Sequence, residues 1–131
     1  RENPGCTVIG SDTMVVGDGT PLGKPKDAGD ARRMLHLLSG RVHEVITGLA
    51  VLSPAGNQIG HRTTKVYFRA LTGAEIDRYI ATGEPLDKAG AYGIQGRGAT
   101  LLTGIEGDYF SVVGLPVELL YTMLAQLGYI E

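Results

Sequence analysis

Two β-branched, apolar runs, Val42 to Leu52 and Ile59 to Leu71, are separated by a short stretch that holds Ser53-Pro54-Ala55-Gly56-Asn57. Valine, isoleucine, threonine and tyrosine fit pleated backbone, whereas proline, glycine and asparagine supply turn chemistry. The pattern predicts a long antiparallel hairpin, and the rest of the chain has to be arranged around it. Upstream, Cys6 to Ile9 and Met14 to Val16 read as extended, with a turn at Gly17-Asp18-Gly19 before Leu22, so that two short strands meet there.

Helices flank these strands. Ala31, Met34, Leu35 and Leu38 recur at helical spacing, Asp27 is placed to cap, and Gly40 stands where a left-handed stop belongs. The spacing predicts a helix from about Ala28 to Leu38. Thr72-Gly73-Ala74-Glu75 has the form of a capping box ahead of Ile76, Tyr79 and Ile80, and Gly83-Glu84-Pro85 ends that helix. Thr100 to Ile105 and Tyr109 to Val113 read as strands. Pro116 then opens a helix with a stripe of Val117, Leu120, Tyr121, Leu124 and Leu127 that ends at Gly128. This order of elements implies a single α/β domain, a sheet covered by helices.

Composition narrows the function classes. The 131 residues carry a net charge of −2, with no broad basic surface for nucleic-acid phosphates, although a single small anion is compatible. No stretch approaches the ~20 apolar residues of a membrane span, and the start of the sequence lacks the layout of a signal peptide. The one cysteine, Cys6, excludes an intrachain disulfide and reads as a small buried hydrophobe. The expected compartment is the cytoplasm.

The sharpest local feature is Gly10-Ser11-Asp12-Thr13, which sets an acid and two hydroxyls directly after an apolar strand, where α/β proteins build sites. Asp12 is there a site acid or merely caps a turn. Lys24 in Gly23-Lys24-Pro25 returns toward it across a short hairpin or is simply solvated. Between Gly83 and Gly107 glycine is frequent and neither period is clear, which marks a loop. Lys88 in that loop suits phosphate, and Gln95 offers a donor and an acceptor to a base edge, or is exposed without a role. Glu84 and Asp87 flank Pro85 and Leu86, as a magnesium site or as an ordinary polar loop. His36, His43 and His61 lack zinc-ligand spacing, and no nucleophile elbow occurs.

Several blocks in one order resemble the Maf family. They are Val8-Ile9-Gly10-Ser11-Asp12-Thr13, Leu22-Gly23-Lys24-Pro25-Lys26-Asp27, and the run from Met34 through Leu38-Ser39-Gly40-Arg41 to Thr47-Gly48. Asp87-Lys88-Ala89-Gly90-Ala91-Tyr92-Gly93-Ile94-Gln95-Gly96 and Val112-Val113-Gly114-Leu115-Pro116 follow in the same order. The resemblance implies an elongated mixed sheet flanked by helices, as in the inosine triphosphate pyrophosphatases. It also implies hydrolysis of a nucleoside triphosphate to the monophosphate and pyrophosphate.

In the family pattern Asp12 corresponds to the proton acceptor, Lys24 and Lys88 to phosphate-facing cations, and Thr13 and Gln95 to substrate-selecting positions. Magnesium, with manganese as the alternative, is the implied ion, and Asp12 and Glu84 are its candidate ligands. The Asp12-Thr13 pair with Gln95 resembles the branch acting on dTTP and UTP. A 7-methyl-GTP pyrophosphatase and a nucleotide-binding regulator of septum formation are the alternatives. A homodimer is implied, with neither nucleic acid nor membrane as partner. The family's opening strand and Ser-x-Ser-Pro-Arg-Arg loop have no counterpart before Asp12, which implies that residues are missing from the sequence.

Overall fold

The central hairpin forms as its sequence dictates. In a computed structural model describing residues 5–130, β3 (Val42–Ser53) and β4 (Gly56–Phe68) pair antiparallel from Val42↔Tyr67 to Ser53↔Gly56, leaving Pro54-Ala55 as the turn. β1 (Val8–Gly17) pairs with β3 on its other side, from Val8↔Leu52 to Val16↔Glu44. β2 (Thr20–Leu22) folds back on the end of β1, and β5 (Leu102–Glu106) pairs with β4. The sheet therefore runs β2-β1-β3-β4-β5, and all of its ladders among the described residues are antiparallel.

Strand alternation decides which face is covered. His43, Val45, Thr47, Leu49, Val51 and Ser53 on β3 are all buried on one face, as are Thr64, Val66 and Phe68 on β4. α1 (Ala28–Leu38) lays Ala31, Met34, Leu35 and Leu38 against that face beside Val15 and Val66. The helix starts where Asp27 accepts a hydrogen bond from the Asp30 amide at 2.8 Å, and Gly40 follows it with φ of +66°. α2 (Gly73–Ala81) closes the same core with Ile76, Tyr79 and Ile80, and its Thr72–Glu75 capping box is complete. A second cluster joins Leu49 and Val51 to Leu119 and Met123 of α4 (Val117–Gln126). Gly60 leaves the space for that packing, since a Cβ there would lie 3.0 Å from Met123 Cε.

Three expectations need correction. Tyr109 to Val113 is a short helix, α3 (Tyr109–Val113), because Asp108 caps it through the Phe110 amide and Gly114 ends it in the left-handed region. The two end signals outweigh the β propensity of Val112 and Val113. In α4 the buried pair is Leu119 and Met123, while Val117 and Tyr121 are exposed. The helix turns its i, i+4 pair toward Gly60, and Leu120, Leu124 and Leu127 of the expected stripe pack half-buried beside it. Cys6, expected inside, is exposed, because it precedes β1 and no ladder covers it. No helix among the described residues is long and apolar enough to cross a membrane.

Candidate functional site

Beside the middle of β1 and β3 lies a cavity of about 210 Å³. Thr13, Val15 and Val45 form its floor, Lys88 and the run Tyr92 to Gln95 one wall, and Val112, Val113 and Gly114 of the α3 region the other. Whole-ligand sites span ~300–1,000 Å³, so this space suits one ring-sized part of a ligand whose remainder extends outward. Its lining is mostly apolar with a few polar groups, as recognition of an aromatic ring requires.

The glycine-rich wall is shaped by three 3₁₀ turns, Glu84–Asp87, Ala89–Ala91 and Gly96–Leu101. Gly90 has φ of +75° and rests on Val15, where a Cβ would come within 2.8 Å of Cγ1, and its amide donates to the Gly23 carbonyl at 3.1 Å. Only glycine fits there. That bond ties the Lys88 segment to the Gly23-Lys24 segment. Gly98 approaches the Gly93 carbonyl so closely that a Cβ would sit 1.7 Å from the oxygen.

Glu84 gathers the same loop. Its Oε1 accepts from Tyr79 Oη and from the Gly98 amide, each at 3.1 Å, and its Oε2 accepts from the Arg97 amide at 3.2 Å. Tyr79 Oη also accepts from the Gly93 amide at 3.1 Å, and burial, with Glu84 nearby, holds this hydroxyl in its neutral form. The carboxylate thus sets the backbone on both sides of Gln95.

Lys88 sits at the rim, paired with an acid. Lys88 runs its stem past Gly93, where a Cβ would meet Cε at 2.6 Å, and its ammonium lies 3.2 Å from Asp87 Oδ1. The hydrogen bond from Lys88 holds the Asp87 carboxyl below the usual carboxylate range, and the charge of Lys24 adds to it. Both lysines therefore act in one local field.

Behind the cavity, Tyr92 packs edge-on against His43 and Phe68, with ring centroids 5.4 and 4.8 Å away. His43 Nε2 lies 2.7 Å from Tyr92 Oη, while the buried Nδ1 has no partner. Either atom of this pair can be the donor, as the imidazole tautomer decides. Desolvation lowers the His43 pKa to about 4. A chain of hydroxyls runs beside these rings: Thr13 Oγ1 is 3.1 Å from Thr47 Oγ1, and Thr47 donates to the Ser111 carbonyl at 2.6 Å. Ser111 in turn donates to Asp108 at 2.7 Å, and Ser11 donates to the Gly114 carbonyl.

Thr13, Lys88 and Gln95, singled out in the sequence, thus share one cavity, and Lys24 joins it through the Gly23–Gly90 bond. Asp12 does not line it. It lies within β1, not at a strand end, and opens onto a shallow groove with Gly10, Gly48, Ala50 and Ile59. Its Oδ1 accepts from the Thr13 amide at 3.0 Å. Glu84 belongs to neither hollow.

No three His, Cys, Asp or Glu side chains converge on a metal position among the described residues. Magnesium needs only one or two carboxylates when phosphates supply the other ligands. Asp12, exposed with Oδ2 unengaged among the described residues, fits that requirement, whereas the Glu84 oxygens already serve three donors. Thr47, Tyr79, Tyr92 and His43 were not singled out as site residues. The signal for two of them was their register, since His43 and Thr47 are polar residues in phase with Val45 and Leu49.

A family model described as Maf-like protein matches residues 1–127. The chain is 55% identical over 128 residues to a dTTP/UTP pyrophosphatase of Bacillus pumilus, covering 98% of this chain and 68% of the relative. It is 58% identical over 123 residues to one of Moorella thermoacetica, covering 92% and 63%, and 52% identical over 126 residues to one of Symbiobacterium thermophilum, covering 96% and 65%. The chain spans about two thirds of the length of these curated relatives.

Proposed function

Since the chain belongs to the Maf family, we propose that it supplies the catalytic and base-selecting part of a nucleoside triphosphate pyrophosphatase that cleaves dTTP and UTP between the α- and β-phosphates. The observation that carries this reading is the meeting of Thr13, Gln95 and Lys88 in one cavity sized for a ring, with Lys24 tied to its rim. The relatives bearing the dTTP/UTP name favour the pyrimidine branch over a methylated purine.

The base enters the cavity, between the apolar side chains of Val112 and Val113 and the loop from Tyr92 to Gln95. The Gln95 amide N–H donates to the ring carbonyl that uracil and thymine present and that cytosine replaces with an amine. The triphosphate extends toward Lys88 and Lys24, whose ammonium groups offset the anionic charge that otherwise repels an attacking oxygen. Asp12 orients and deprotonates the water, a role worth ~10² to 10⁴ in rate. Asp12 would hold a magnesium ion carried in with the phosphates, which would supply further charge neutralisation.

The test is kcat/KM for dTTP, UTP, CTP, dGTP and 7-methyl-GTP with the wild type and with Gln95→Ala. The wild type should prefer dTTP and UTP, and Gln95→Ala should narrow their advantage over CTP by about tenfold to a hundredfold. A wild-type preference for CTP or the methylated purine, or an unchanged ranking in the variant, overturns the assignment.

A further inference from the structure

The hydroxyl chain behind Thr13 fixes where its proton goes. Thr47 is fully buried and has one hydroxyl proton, which it gives to the Ser111 carbonyl at 2.6 Å. A carbonyl oxygen can only accept, so the direction of this bond is not open to choice. Thr47 consequently has only lone pairs to offer toward Thr13, and in the 3.1 Å contact between the two hydroxyls Thr13 has to be the donor. With its proton committed inward, the partly exposed Thr13 hydroxyl presents only lone pairs to the cavity it lines.

We propose that Thr47 is a specificity-determining positioning residue: by consuming the Thr13 proton it makes Thr13 an obligate acceptor, which selects ligands that place an N–H at that point. The imide N–H of uracil or thymine satisfies such an acceptor. The corresponding ring nitrogen of cytosine carries a lone pair and faces Thr13 lone pair to lone pair. This rests on the nucleotide reading above and deepens it, because Thr47 acts on the base through Thr13 without touching it. The backbone reinforces the arrangement. Thr13 and Thr47 are cross-strand partners in the β1–β3 ladder, and Ser111 is held by the Asp108 cap, so the three groups cannot drift apart independently.

The experiment compares kcat/KM for UTP and CTP in the wild type, Thr47→Val and Thr47→Ser, with Tm recorded for each. Thr47→Val keeps the shape and removes the hydroxyl, which releases the Thr13 proton to donate or the oxygen to accept as the ligand requires. The UTP:CTP ratio should fall about tenfold, the equivalent of one hydrogen bond. Thr47→Ser restores the donor to Ser111 and should restore the wild-type ratio. A purely structural role would lower both substrates together and leave the ratio alone, and that outcome overturns the proposal while the pyrimidine reading stands. Absence of any wild-type preference for UTP over CTP sinks the pyrimidine reading itself, and this inference with it. Should Thr47→Val fail to fold, Thr13→Val decides: UTP should drop about tenfold with CTP unchanged, and an equal drop in both refutes the acceptor assignment.

Discussion

Asp12 and Thr13 are consecutive on β1, yet Thr13 lines the ring-sized cavity and Asp12 opens onto the groove beside Gly48. A strand separates neighbouring side chains in this way, because successive residues project to opposite faces. In the proposed enzyme that separation divides labour, with recognition of the base falling to Thr13 and activation of water to Asp12.

Substitution at Asp12 should therefore affect rate without affecting choice. Asp12→Asn retains an oxygen able to accept from the Thr13 amide, so the fold has no reason to change. We expect kcat to fall ~10²-fold or more, the dTTP:CTP ratio to stay at its wild-type value, and Tm to be unaltered. A variant that keeps above about a tenth of the rate removes Asp12 from the role of base.

Glu84 should behave as an organiser of the loop. In Glu84→Gln an amide nitrogen replaces one of the two oxygens that now serve Tyr79, Gly98 and Arg97, and at least one donor loses its acceptor. The expected loss is about 1–2 kcal/mol in urea denaturation, with a raised KM because Gln95 borders the same turn. An unchanged denaturation midpoint together with a higher magnesium requirement would instead return Glu84 to the role of metal ligand.

Acid should weaken the fold through His43. Its folded-state pKa of about 4 lies below the ordinary value of 6.5, so between these pH values the unfolded chain binds a proton that the folded one refuses. Stability is at its full value above pH 6.5, declines as the pH falls toward 4, and levels off below that for this group, with a total loss of about 3 kcal/mol. Glu75 acts in a lower window. The Arg69 hydrogen bond, with help from the Thr72 amide, lowers its pKa to about 2, and its contribution is lost only as the pH falls from 4.5 through 2. Denaturation of wild type and His43→Phe at pH 7, 5.5 and 4.5 separates the two. A decline of equal size in both proteins rules out His43 as its source.

Much of this architecture was legible because the decisive signals were local. Asp27 and Gly40 bracket α1, Thr72 and Glu75 start α2, and Pro54-Ala55 lies between two β-branched runs. The same kind of signal was present for α3, in Asp108 and Gly114, but Tyr109 to Val113 is so rich in β formers that composition obscured the caps. The site was harder to read, since it depends on which segments meet. Family pattern put Lys88, Gln95 and Thr13 in one site, and they do share a cavity, whereas Glu84 drew notice as an acid when its effect is exerted on backbone amides. Nothing near Thr47 in sequence reveals Ser111, because their hydrogen bond spans 64 positions.

The cavity has no local origin. Its floor comes from Thr13 and Val45, one wall from Lys88 to Gln95 and the other from Val112 and Val113. Each of these meetings closes a loop of chain, and the closure entropy has to be met before the contact returns anything. A species that has formed only the β3–β4 hairpin lacks the cavity altogether. A nucleotide consequently has nothing to hold until the distant segments are assembled, and whatever free energy it gains on binding is added to the stability of the folded state alone. Recognition and folding are thereby parts of a single equilibrium.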